Sequence, residues 1–268
     1  LFQALHGIFN ILDTMMASHI GSDAVSAVAA LSQITLMITA LGSGLAVGLL
    51  RLVLPITDYY VLAFLQEALA AVLVWLLLRQ AGCGRVLLQK GCGFLRGLEV
   101  GLYPLVLTLL VLTAMLAEQR QAGAPLASPG HIAAFAGTML LIGLVEEMAF
   151  RGLVATTLLE HFGTGRAGVW KATVLSGLLF GAAHMTNLLS APPLGVFVQA
   201  VVASVLGMLF AAIYYRTGNL WVVIALHAGM DFARITPVRF SRSPPMADGI
   251  SRRSDSPLAT RRAASQLR

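Results

Sequence analysis

Most of this sequence consists of apolar runs, each about 20 residues long and nearly free of charge, which is the length that crosses a bilayer core of roughly 30 Å. Eight such runs occupy residues 1–18, 24–50, 59–78, 97–117, 132–158, 172–190, 194–215 and 219–235. Lipid offers no hydrogen-bond partner to backbone N–H and C=O groups, so segments this apolar fold as helices. We therefore predict an all-α fold, a polytopic transmembrane bundle of about six to eight spans.

Composition supports a membrane protein and argues against a nucleic-acid partner. The chain is 57% hydrophobic and 11% charged, whereas charged residues make up about a quarter of a typical soluble domain. Residues 234–268 hold eight Arg and two Asp, which account for the whole net charge of +6. The expected partner is the lipid bilayer, and the expected location is multi-pass in a membrane, the plasma membrane if the source is bacterial.

Loop charges predict the orientation. The segment 79–96 contains no acidic residue and four basic residues, Arg79, Arg85, Lys90 and Arg96. The positive-inside rule places this loop in the cytoplasm, and alternation then puts 118–131 and 191–193 on the other side. The Arg-rich tail would also lie outside, against the rule.

Three regions are predicted. Residues 1–50, with Asp13 and the runs "GSDAVSAVAA" and "LGSGLAVG", resemble the first helical hairpin of the multidrug and toxin extrusion (MATE) transporters. A hairpin alone does not provide the two opposed bundles of a transporter, so this region is interpreted either as a fused or misjoined piece or as two ordinary helices rich in small residues. Residues 51–235 form the main domain. Residues 236–268, rich in Arg, Ser and Pro, are predicted to be a basic disordered tail.

Three ionisable residues interrupt the run "LIGLVEEMAFRG". An ionisable side chain near mid-bilayer costs roughly 2.5 to 3.5 kcal/mol of insertion free energy. The presence of Glu146, Glu147 and Arg151 in this span therefore indicates a structural or functional role. Glu147 and Arg151 are four residues apart and share a helix face, which predicts an ion pair. Glu146 is rotated by about 100° from Glu147, which leaves it available as a general base.

Two later spans carry further polar residues. His184 follows the small residues of "FGAAH", which allow a second helix to approach closely. Phe180 is predicted to seal the site from lipid and to bind substrate. His227 and Asp231 in "HAGMD" share one helix face. At about 1.5 Å rise per residue, Glu146, His184 and Asp231 all lie roughly 18 Å from the predicted cytoplasmic ends of their helices. These residues can therefore meet in one cavity.

Each polar group also has a structural interpretation. A lone His among small residues is more often a helix–helix hydrogen bond, and a Glu–Arg pair is most simply structural. The conjunction of Glu, two His and Asp on three helices at one depth favours a chemical site.

The segments "EEMAFR", "FGAAH" and "HAGMD" resemble the EExxxR, FxxxH and HxxxD/N motifs of the CPBP family. That family groups CAAX prenyl endopeptidases with bacteriocin-processing and self-immunity membrane proteins. The resemblance extends over residues 55–235 and includes the "GNLW" that precedes the last motif. It implies intramembrane hydrolysis of a peptide bond in a cavity open toward the cytoplasm.

Carried over by position, the resemblance implies a role for each residue. Glu146 and His184 would hold and deprotonate the attacking water, while Glu147 and Arg151 would orient the site. His227 and Asp231 would stabilise the oxyanion. Many members have Asn at the last position, and a carboxylate donates a hydrogen bond only when protonated, so Asp231 could orient His227 instead.

Participation of a metal stays open at this stage. Glu146, His184, His227 and Asp231 are residue types that ligate zinc, whereas an HExxH motif is absent, which favours a site without tightly bound zinc.

The predicted function is that of an endopeptidase acting near the C-terminus of a peptide or protein, prenylated or not. The alternatives are a non-catalytic immunity or scaffold protein of the same fold and a MATE-like transporter fragment. A protease requires Glu146 and His184, whereas a transporter fragment would depend on Asp13.

Overall fold

The computed structural model describes residues 59–80, 82–123, 127–189 and 191–240, and these are all-α, as predicted. We number the helices α1 to α7: Tyr59–Gln80, Phe94–Val100, Leu102–Gln121, Pro129–Phe162, Arg166–Ala183, Pro193–Thr217 and Leu220–Phe240. Short 3₁₀ segments occupy Val86–Leu88 and His184–Leu189. The predicted hairpin over 1–50, with Asp13, lies outside the described residues, as does the tail beyond 240.

Four of the described helices are long and apolar enough to cross a membrane: Val61–Gln80, Leu102–Gln121, Pro129–Phe162 and Pro193–Thr217. The predicted run 97–117 is divided at Gly101 into α2 and α3. The predicted run 172–190 corresponds to α5, which begins earlier, at Arg166, and gives way to 3₁₀ geometry at His184. The last helix continues to Phe240, beyond the predicted end at 235.

The outer helices present apolar side chains outward. Only 17% of the apolar stretch of α3 is buried, and the α3 residues Leu109 and Leu110 are exposed. On α6, Val201 and Val205 are exposed as well. Apolar patches of this kind are costly in water and stable against lipid, which agrees with a membrane environment.

Helices α5 and α6 pack closely because glycines face each other. A Cβ added at Gly181 would overlap the Ser204 side chain and the Ala200 backbone, and one at Gly207 would meet Gly177. Small residues at such a seam let two backbones approach. The close approach predicted from "FGAAH" is therefore confirmed.

The start of α7 is held by the loop over residues 82–93. Asn219 accepts a hydrogen bond from the Trp221 backbone N–H at 3.0 Å and donates from Nδ2 to the Lys90 carbonyl at 3.1 Å. The Trp221 indole N–H donates to the Leu87 carbonyl at 3.0 Å. These contacts give the "GNLW" segment a structural purpose, because they fix the register of α7.

Candidate active site

The polar residues of α4 lie where its geometry changes. The helix is regular over Pro129–Glu147, widens to a π-helix over Met148–Ala155 and returns to α geometry over Thr156–Phe162. Two carbonyls of the wide segment accept side-chain hydroxyls: Arg151 O from Thr156 at 2.9 Å, and Ala155 O from Tyr215 at 2.7 Å. Wide turns of this type occur frequently at functional sites.

Glu147 and Arg151 form a fully buried ion pair behind the site. Both side chains are 0% exposed, and Arg151 donates from one terminal nitrogen to Glu147 Oε1 at 3.0 Å. Its other terminal nitrogen donates to the Gly207 carbonyl on α6 at 3.1 Å. The guanidinium also lies over the rings of Phe180 and Phe210, at 4.5 and 5.4 Å from their centroids. The pair predicted from the four-residue spacing is present.

Glu147 also orients His227. The His227 Nδ1 donates to Glu147 Oε1 at 2.7 Å, which links α7 to α4. The other ring nitrogen, Nε2, lies 3.4 Å from Asp231 Oδ2 and 3.7 Å from Glu146 Oε2. The hydrogen bond that orients the imidazole ring through Nδ1 is therefore made by Glu147 on α4, and Asp231 lies on the Nε2 side of the ring.

Glu146, His184, His227 and Asp231 line one cavity of about 560 Å³. The Glu146 side chain keeps 25% of its surface exposed, and its Oε2 has no hydrogen-bond partner among the described residues. The His184 Nδ1 donates to the Phe180 carbonyl at 2.9 Å, so in the neutral ring Nε2 carries the lone pair and can accept a proton.

The six predicted polar residues thus divide into two groups. Four line the cavity, whereas Glu147 and Arg151 lie behind it. Phe180, predicted to bind substrate, lines the cavity although it is only 3% exposed. Its ring meets His184 and His227 edge-on, with centroids 5.0 and 5.8 Å apart.

Sequence reasoning missed several contributors. The Gly207 carbonyl, which accepts from Arg151, is a backbone group that residue type does not reveal. Phe210, whose ring lies under the Arg151 guanidinium, is one of many apolar residues in its span. Glu67 on α1, within electrostatic range of Glu146, could have been found as an acid inside a predicted span. Arg234 also lines the cavity and was counted only among the eight Arg of residues 234–268.

A metal centre is not supported by the arrangement of side chains. Throughout the described ranges, no three His, Cys, Asp or Glu side chains converge as a metal-ligand set. We therefore derive no chemical step through a metal.

The cavity extends away from the loop over residues 82–93. Its lining includes Asn187, Gly195 and Arg234, whereas that loop contacts the opposite end of α7. The loop charges predict that 79–96 lies in the cytoplasm. A cytoplasmic 79–96 loop and a cavity open toward the cytoplasm were both expected, and these two expectations cannot hold together.

Comparison with protein families identifies the region that contains the site. The family model for type II CAAX prenyl endopeptidases, Rce1-like, matches residues 128–233. The chain carries an Rce1-like CAAX prenyl endopeptidase (CPBP) domain. Neither a curated protein nor a solved structure matches the chain.

The Rce1-like domain covers α4 to α6 and most of α7, with all six polar residues. The resemblance to the CPBP family is thereby confirmed, although the match begins at 128 rather than near 55. The Rce1-like proteins are an integral membrane protease family, which implies a protein or peptide substrate. The resemblance of residues 1–50 to MATE transporters lies outside the matched range.

Proposed function

We propose that this chain is a multi-pass membrane endopeptidase that hydrolyses a peptide bond near the C-terminus of a CAAX-type substrate, prenylated or not. The observation that carries the proposal is the cavity in which Glu146, His184, His227 and Asp231 face one space. In this proposal α5 and α7 cross the membrane together with the four more apolar helices, and the source membrane is the plasma membrane if the source is bacterial.

Glu146 and His184 hold and activate the attacking water in the proposed reaction. The water oxygen attacks the carbonyl carbon of the substrate while Glu146 takes up the proton, and a positioned general base of this kind contributes about 10² to 10⁴ in rate. The exposed surface of Glu146 and its unpartnered Oε2 support this role. When the C–N bond breaks, Glu146 returns the proton to the leaving nitrogen.

In this proposal His227 stabilises the oxyanion that forms on the substrate carbonyl, and Asp231 donates a second hydrogen bond to it when its carboxyl group is protonated. Because Nδ1 is held by Glu147, a doubly protonated His227 presents its Nε2–H to the cavity. Removal of one such donor typically lowers the rate about 10² to 10³-fold. Glu147 and Arg151 position this ring and do not touch the substrate.

The test is cleavage of prenylated and unprenylated CAAX-type peptides by the purified full chain in proteoliposomes. We expect Glu146→Gln to lower the rate about 10² to 10⁴-fold while the protein stays folded. Glu118→Gln is the matched control, since Glu118 is exposed on α3 and does not line the cavity. His184→Ala and the exposed His161→Ala form a second pair.

A chelator added to the wild type measures metal dependence, and an unchanged rate is expected. If wild type and Glu146→Gln both fail to cut although both are folded, the proposed activity is wrong. The polar cluster then serves the non-catalytic scaffold function, which tolerates the loss of Glu146. A function of the chain that is lost when Asp13 is replaced, and not when Glu146 or His184 is replaced, would favour the transporter fragment.

A further inference from the structure

One end of the bundle brings together an end of each of the four helices that can cross a membrane. Three of these helices finish there and the fourth starts there, at Gln80, Phe162, Thr217 and Leu102. The Cys92 backbone N–H donates to the Thr217 carbonyl at 2.8 Å, and a Cβ added at Gly152 of α4 would meet Val86. A helix that spans the bilayer core has its ends at the layer of lipid headgroups. We call this region, residues 79–102, 160–171 and 215–221, the basic end.

Positive charge is concentrated at the basic end. Seven basic side chains lie there, and all are exposed: Arg79, Arg85, Lys90, Arg96, Arg166, Lys171 and Arg216. No ion pair between described residues involves any of them, and none of them lines the cavity. The acids of the same region are Glu99 and Glu160, so most of the positive charge has no acidic residue to offset it. At the far end of α3, by contrast, Glu118 lies beside Arg120.

All three tryptophans of the chain also lie at or near the basic end. Trp170 and Trp221 are 64% and 41% exposed. The Trp221 indole N–H donates to the Leu87 carbonyl at 3.0 Å, and the Arg79 guanidinium lies 5.0 Å from the centroid of the Trp75 ring. Tryptophan is enriched at the headgroup level of membranes, because its ring has an apolar body and a polar N–H. Tryptophan and exposed basic residues together therefore indicate a surface in contact with headgroups.

We infer that the basic end binds the phosphate groups of anionic phospholipids. A guanidinium matches a phosphate with two parallel hydrogen bonds, and a lysine attracts it as a point charge. Arg79 and Arg216 lie in the last turns of α1 and α6, so their aliphatic stems can follow the helix while their charged groups reach the headgroups. Basic residues beside a membrane each add to its attraction for anionic lipid. The inference does not depend on the proposed peptidase activity.

Quenching of tryptophan fluorescence by brominated lipids tests the inference, because all three tryptophans report on this end. The purified full chain is reconstituted in phosphatidylcholine bilayers that contain an equal fraction of brominated phosphatidylglycerol or brominated phosphatidylcholine. We expect the anionic lipid to quench more strongly, with a relative binding constant about five to tenfold in its favour. Sodium chloride at 1 M should lower this ratio, because the Debye length falls from about 10 Å at 0.1 M to about 3 Å.

Variants locate the binding surface. Arg85→Gln/Lys90→Gln/Arg96→Gln should lower the ratio to less than half of its wild-type value. Arg216→Gln and Arg120→Gln form a matched pair, since each replaces the basic residue in the last turn of a spanning helix. Arg120 lies about 27 Å along α3 from the basic end, so only Arg216→Gln should lower the ratio. Thermal unfolding in zwitterionic detergent, where no anionic headgroup is present, checks that each variant is folded.

Three results would overturn the inference. Equal quenching of wild type by the two brominated lipids shows that the basic end does not select anionic headgroups. An unchanged ratio in the folded triple variant shows that these charges do not bind them. Equal losses in Arg216→Gln and Arg120→Gln show an effect of net charge and no binding at this end. Because fluorescence measures no cleavage, any of these results leaves the proposed peptidase activity intact, and an inactive chain leaves this inference intact.

Discussion

Glu146 and Glu147 are adjacent in the sequence, yet they lie in different surroundings. Glu147 is 0% exposed and bonds to Arg151 and His227. Glu146 keeps 25% of its surface exposed and lines the cavity. One residue of helix turns a side chain by about 100°, which is enough to separate a buried network from an open cavity.

The difference shows that one turn of α4 both connects neighbouring helices through buried contacts and contributes a side chain to the cavity. The buried side joins three helices, because Arg151 reaches the Gly207 carbonyl on α6 and Glu147 reaches His227 on α7. We expect loss of stability from changes on this side and loss of activity from changes on the cavity side.

The largest effect on stability is expected at Arg151. Arg151→Met removes the guanidinium from the buried Glu147, which keeps only its contact with His227, and breaking a buried pair in this way costs about 3 to 5 kcal/mol. Thermal unfolding in detergent measures the loss. The double variant Glu147→Gln/Arg151→Met should lose less than the sum of the single variants. Additive losses would show that the two side chains do not act as a pair.

A smaller effect is expected at the seam between α5 and α6. Gly181→Ala places a methyl group against Ser204 and the Ala200 backbone, and overpacking of this kind costs typically about 1 to 3 kcal/mol. Activity should fall as well, since the seam positions His184. Gly130→Ala is the control, because a Cβ there meets nothing. An equal stability of both variants would contradict the close packing.

The smallest effect is expected at Asp231. The amide of Asp231→Asn can place either its oxygen or an N–H donor at the position 3.4 Å from His227 Nε2. The cleavage rate should therefore change less than about tenfold, because a typical hydrogen bond contributes about 1 kcal/mol net. Asp231→Ala removes both options and should cost more. Steady-state cleavage kinetics compare the two. A loss in Asp231→Asn as large as that in Asp231→Ala would show that the negative charge itself is required.

Much of this arrangement could be predicted from the sequence. Runs of apolar residues predicted the long helices to within a few residues, because helix length is set by membrane thickness. The spacing of Glu147 and Arg151 predicted their ion pair, because positions four apart share a face. Family membership followed from three short motifs, although the roles of the individual residues stay predictions.

The remaining features depend on contacts between distant parts of the chain. The hydrogen bond from His227 to Glu147 joins residues on different helices, and the Gly207 acceptor is a backbone atom, which no residue type reveals. The end of the bundle at which the cavity opens could not be predicted, since loop charges indicate only on which side of the membrane a loop lies. They contain no information on which end of a bundle is open.

The π-helix over Met148–Ala155 also limits how this region can evolve. A wide turn contains one more residue than the α turn it replaces. Loss of one residue there would let the turn close to α geometry and leave the flanking parts of α4 on their present faces, whereas the same loss in a regular part of α4 would rotate them against each other by about 100°. The effect of such a deletion would therefore fall on the side chains of the wide segment itself, which include the buried Arg151.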